Sequence, residues 1–204
     1  MSGCGEYTII CFEEKILQIK EILEISLNTI FFHRYLGSEK FDDVKTNLNN
    51  IYYVKLKSEN LSNSINNILN EIENNYKDKN NYGQKLSLSF YEKGKNPWEK
   101  WNFILIFSKK EDSKQKEELN SKSEELEDDK GNKIREFIFK IIEKLNDKGN
   151  FMPNINLDDN SIKDETFLYN ISIEKIATKE DYRSLYFNLV ENNQENIIKI
   201  DLLP

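Results

Sequence analysis

The sequence predicts an α+β fold, three helices packed on a mostly antiparallel β-sheet, and three observations carry that prediction. The stretch from Lys85 to Phe107, KLSLSFYEKGKNPWEKWNFILIF, reads as two strands joined by a short polar connection. Three other segments repeat apolar residues at helical spacing. The resulting order, β-α-β-α-β-β-α-β-β-β, lacks the regular βαβ alternation of a parallel sheet.

Tyr7 to Phe12 is a short apolar run, read as a strand. From Glu13 to Leu36 the spacing turns helical, with Ile16, Ile19 and Leu23 on one stripe and Lys15, Lys20, Glu21 and Glu24 largely outside it. From Ile25 onward the same helix is apolar nearly all round, through Leu27, Ile30, Phe31, Phe32, Tyr35 and Leu36. That half is either central to the domain or covered by a partner, and Gly37 supplies a stop. Ile51 to Lys57 reads as a strand, followed by a helix on Leu61, Ile65, Ile68, Leu69, Ile72 and Tyr76. In the strand pair, Leu86, Leu88 and Phe90 alternate with Ser87 and Ser89, the pattern of a half-buried strand. Trp101, Phe103, Leu105 and Phe107 line one face of its partner, while Ile104 and Ile106 make the other face apolar too. Such a strand belongs in the middle of a sheet, covered on both sides. A third helix spans Ile134 to Leu145, with Gly149 just beyond. Thr166 to Ile173, Leu185 to Val190 and Ile197 to Leu203 are expected as strands.

At 204 residues the chain is most simply one domain, residues 1–204. Residues 109–133 stand apart as a charged surface insertion with only Leu119 and Leu126 to bury, either a disordered loop or a solvated helical extension. The formal charge of −7, with Lys interleaved among Glu and Asp, leaves no basic stripe for a phosphate backbone, so no nucleic acid is expected. Cys4 and Cys11 with the single His33 supply too few ligands for a structural zinc and no disulfide framework, so reduced thiols are expected. No apolar run approaches the ~18 residues of a membrane span. The polar start MSGCGEY does not read as a signal peptide, and the expected location is cytoplasmic.

Catalytic constellations are thin. The only histidine lies in the apolar half of the first helix, no Gly-x-Ser-x-Gly elbow occurs, and the 7 glycines form no phosphate-binding loop. The paired carboxylates, such as Glu117-Glu118 and Glu124-Glu125, sit in the charge run, where nothing tunes them for proton transfer. Neither an enzyme nor a cofactor or metal is expected, although a pocket of distant Asp and Glu residues is the enzyme alternative. The sharper candidates are contacts with a partner. Trp101 belongs to the core by its place in the alternation, whereas Trp98, beside Pro97 and ahead of the regular strand, reads as either core or interface anchor. His33 and Arg34 read either as a part-buried His and an Arg closing a helix against its dipole, or as the polar edge of a partner-binding face.

LSLSFYEK followed by PWEKW and an aliphatic strand resembles the autophagy-related protein 101 family of HORMA-domain scaffolds. TIFFHRYLG is similar to that family's first-helix end, with its aliphatic–His–Arg–x–x–Gly pattern; KIIEKLNDKGNFMPNI resembles its third helix and proline segment, and FLYNISI its late strand. The motifs keep the family's order over most of the chain. The resemblance implies a HORMA-like fold and a non-catalytic adaptor. Its implied partners are the HORMA domain of autophagy-related protein 13 and the autophagy-initiating kinase complex, with recruitment to the preautophagosomal structure. It also places His33 and Arg34 on a family motif. Family members in animals carry a Trp-Pro-Phe finger before the Pro-Trp-Glu motif; here that loop is Lys93-Gly94-Lys95-Asn96, leaving Trp98 or another surface to substitute for it. Beyond about Ile173 little matches. A checkpoint-type HORMA adaptor, trapping a peptide with its C-terminal segment, is the alternative on the same fold.

Overall fold

The computed structural model describes residues 4–13, 15–35, 40–46, 51–78, 81–92, 94–107, 123–147, 168–193 and 196–201. In chain order these form β1 (Gly5–Glu13), α1 (Ile16–Arg34), β2 (Phe41–Lys45), β3 (Tyr52–Leu56), α2 (Glu59–Lys77), β4 (Gly83–Tyr91), β5 (Glu99–Phe107), α3 (Ser123–Leu145), β6 (Leu168–Ile176), α4 (Lys179–Asn193) and β7 (Ile197–Asp201). The fold is α+β, as expected, with a five-stranded sheet in the order β6-β4-β5-β1-β7 and a separate β2-β3 ladder. β6-β4, β4-β5 and β2-β3 are antiparallel, whereas β1 runs parallel to both β5 and β7. The main sheet is therefore mixed, antiparallel on one side of β5 and parallel on the other.

Strand alternation assigns the two faces. Tyr7, Ile9 and Cys11 of β1, Leu86, Leu88 and Phe90 of β4, and Trp101, Phe103, Leu105 and Phe107 of β5 share one core with α1, α2, α3 and β3. The intervening Ile10, Ile104 and Ile106, with Ile176 of β6, form a second, smaller core under Tyr182, Leu185 and Tyr186 of α4. β5 is central because both of its faces are apolar, as its sequence requires. Gly83 opens β4 where a Cβ would lie 2.3 Å from the Leu105 carbonyl oxygen, so only a glycine permits that approach.

α1 is the central helix of the large layer and packs on α2, α3 and β3, which explains the loss of its polar face after Ile25. Two of its buried polar residues are satisfied within the helix: Ser26 Oγ donates to the Ile22 carbonyl at 2.7 Å and Asn28 Nδ2 to that of Glu24 at 2.8 Å. α2 is capped by Ser58, whose Oγ accepts from the Leu61 backbone N–H at 3.3 Å. Ser58→Ala should cost about 1 kcal/mol by chemical denaturation, the usual worth of such a cap.

Among the described residues four helices stand where three were expected. Leu185–Val190, expected as a strand, lies within α4, because Tyr182, Leu185 and Tyr186 recur at helical spacing and cover one sheet face. β2 was not expected: its burial is slight along its whole length, so its sequence carries no apolar alternation. The third helix starts at Ser123, eleven residues before Ile134, so the last part of the charged insertion is helical; residues 109–122 of it, and the stop at Gly37, lie outside the described residues.

Candidate partner-binding face

Phe32 and Phe41 are 38% and 39% exposed, and they pack edge to face with ring centroids 5.1 Å apart. Their proximity comes from topology: α1 ends at Arg34, and β2 returns the chain so that its first residue, Phe41, faces the last turn of the helix. Tyr35 adds a second edge contact with Phe41 at 6.4 Å, and the His33 ring stands against Phe32 at 5.3 Å. Together these side chains make a four-ring aromatic ridge; Phe32, His33 and Tyr35 lie in the TIFFHRYLG motif, and Phe41 lies outside it. Phe41 was missed along with β2; the available signal was compositional rather than periodic, Phe-Asp-Asp-Val-Lys and Ile-Tyr-Tyr-Val flanking an Asn-rich stretch.

His33 is half-buried and bonded within its own helix, Nδ1 lying 2.8 Å from the Thr29 carbonyl oxygen. A carbonyl oxygen can only accept, so Nδ1 carries the proton in that contact. Arg34, the neighbouring candidate, lies inside the protein at 4% exposure. Its Nε donates to both carboxylate oxygens of Glu99, at 3.0 and 2.8 Å, and its Nη2 stands 2.8 Å from Glu99 Oε2. Nη1 and Nη2 each reach the Leu145 carbonyl oxygen at 3.3 Å. Glu99 Oε1 also accepts from Trp101 Nε1 at 2.6 Å, so both oxygens of this buried carboxylate are engaged. Any part Arg34 plays in a partner face is through what it holds in place.

Trp98 is half-buried at the entry to β5. Its indole packs on Phe90 at 5.7 Å, its backbone N–H donates to the Phe90 carbonyl at 3.0 Å, and its own carbonyl accepts from Gly5 N at 2.9 Å. Phe90 in turn meets Phe31 of α1 edge on at 5.5 Å. His33, Arg34 and Trp98 are thus joined at one end of the molecule by two routes, the Arg34–Glu99 pair and the Phe31–Phe90–Trp98 ring series. Trp101 is a core residue, fully buried and stacked on Tyr7 at 4.4 Å.

The chemistry of this end is that of contact. Half-exposed rings at a helix end are groups that would bury apolar area on docking, beside the half-buried His33. Cys4 is exposed, but partial burial and then the Glu6 carboxylate push its thiol up, the opposite of an activated nucleophile. Among the described residues no group of three or more His, Cys, Asp and Glu could hold a metal ion, and no helix is long and apolar enough to cross a membrane.

Comparison with known proteins gives three findings. The model of the family described as "Autophagy-related protein 101" matches residues 13–159, a stretch that contains α1 to α3 and stops before β6. An Autophagy-related protein 101 of Arabidopsis thaliana is 29% identical over 170 residues, covering 71% of this chain and 77% of that protein. A chain in the crystal structure of a mitotic checkpoint complex superposes with a TM-score of 0.52 at 19% identity, covering 81% of this chain and 72% of that one, a likeness of fold alone. The architecture is HORMA-like.

Proposed function

From the premise that this chain belongs to the autophagy-related protein 101 family, we propose that it is a non-catalytic adaptor that binds and stabilises the HORMA domain of autophagy-related protein 13 within the autophagy-initiating kinase complex. In this reading residues 1–204 act as one HORMA domain in the cytoplasm, recruited to the preautophagosomal structure, and the charged insertion at 109–133 takes no part in the pairing. The observation that carries the site is the aromatic ridge on the family's His-Arg helix end: Phe32, His33, Tyr35 and Phe41 stand half-exposed on a buried, hydrogen-bonded base. His33 contributes its half-buried ring, Trp98 a neighbouring apolar contact, and Arg34 the support behind both.

The test mixes the purified chain with the HORMA domain of the same organism's autophagy-related protein 13 and measures mass by size-exclusion chromatography with light scattering. A stable 1:1 species is expected. Phe32→Ala and Phe41→Ala should each weaken it by about 1–2 kcal/mol, near tenfold in Kd, as truncated aromatic anchors do. Removing residues 109–122 should leave it unchanged. Absence of a complex at tens of micromolar, with both proteins folded, would remove the pairing and bring forward the checkpoint-type peptide-trapping adaptor.

A further inference from the structure

Three elements, α1, β5 and α3, converge on one guanidinium. Arg34 is the last residue of α1, Glu99 the first of β5, Trp101 the third of β5, and Leu145 the last of α3. The carbonyl ends of two helices therefore meet a single cation, and one carboxylate balances it. Both helix ends carry partial negative charge, so a cation there is favoured twice. Only arginine offers a planar fork of donors able to address two carboxylate oxygens and a third acceptor at once. The His33 carbonyl lies 3.5 Å from Nη1, so the guanidinium also reaches back to its own helix.

Placed at this junction, the group does more than close a helix. The residue before Arg34 is His33 of the ridge, and the residue before Glu99 is Trp98. We propose that Arg34 is a positioning residue that couples the aromatic ridge to Trp98 and to the end of α3, so that the three segments present one preset surface to the partner. The coupling stands on the geometry; its use in partner binding rests on the adaptor reading above. An apolar pair of similar volume would fill the space but would leave the Leu145 carbonyl without this donor, freeing the end of α3.

The experiment compares wild type with Arg34→Met/Glu99→Gln, which removes both buried charges and keeps an acceptor for the Trp101 indole, and with Arg34→Lys as a second variant that keeps the cation. Hydrogen exchange is followed by mass spectrometry, and affinity for the autophagy-related protein 13 HORMA domain by titration. The proposal expects exchange about tenfold faster or more across residues 29–35, 98–101 and 140–147, with the centres of β1 and β4 as protected as in wild type. It also expects affinity to fall about tenfold although Phe32, His33, Phe41 and Trp98 are untouched. Wild-type exchange in any of the three segments would overturn the coupling. Faster exchange with unchanged affinity would overturn its role in binding. Faster exchange in a protein whose wild type binds no such HORMA domain would support the coupling and sink the adaptor reading instead.

Discussion

Glu99→Leu is expected to destabilise the protein by about 3–5 kcal/mol, the range for removing one partner of a buried ion pair. Arg34 would remain at 4% exposure with its charge uncompensated, and the Trp101 indole N–H would lose its acceptor at the same time. Against a typical total stability of about 5–15 kcal/mol this is a large fraction, visible as a lower urea midpoint. Arg34→Met/Glu99→Gln should recover most of the loss, because no lone buried charge survives in it. A double variant as unstable as the single one would show that the global loss comes from the missing hydrogen bonds of the pair and not from the stranded cation.

Trp101→Ala should cost about 3–5 kcal/mol, since it empties a fully buried site and leaves Tyr7 without its stacking partner. Trp101→Phe keeps a ring there but loses the hydrogen bond to Glu99 and part of the indole's volume, a smaller change of roughly 1–3 kcal/mol. Trp98→Ala, at a half-exposed site, is expected to fall well below Trp101→Ala in stability and to show itself in partner affinity instead. Thermal unfolding of the three variants separates these cases. Equal losses at the two tryptophans would remove Trp98 from the contact surface.

The legible parts of this fold were those where burial is deep. β5 announced its central place through apolar residues on both faces, and the α1 and α2 stripes through their spacing. The expected choice for the apolar half of α1, central or partner-covered, is settled for Ile25 to Phe31 by α2, α3 and β3 packing around it, while Phe32 emerges at its end beside the part-exposed His33 and Tyr35. Where burial is shallow, pattern reading failed. β2 is held by its ladder to β3 and leaves no periodic trace, and α4 covers so little of the sheet that its short apolar run passed for a strand. The candidate site was legible as a motif but not as a surface. His33 and Arg34 are adjacent in sequence, yet one faces partly outward and the other inward, a division set by Glu99 some 65 residues away. No local pattern carries that partner, because an ion pair between distant elements has no period.

The parallel pairing of β1 has a consequence for how the chain reaches this state. Its neighbours in the sheet are β5, which begins at Glu99, and β7, which begins at Ile197. Both ladders close very long loops, the contacts that slow folding most. During synthesis the N-terminal strand waits for β5, and then for a strand made almost two hundred residues after it begins, with an apolar, unpaired edge exposed meanwhile. Such an edge invites association with other chains. The slow step of maturation should therefore be the docking of the last strand, and a nascent chain that stops short of Ile197 should be the form most in need of a chaperone.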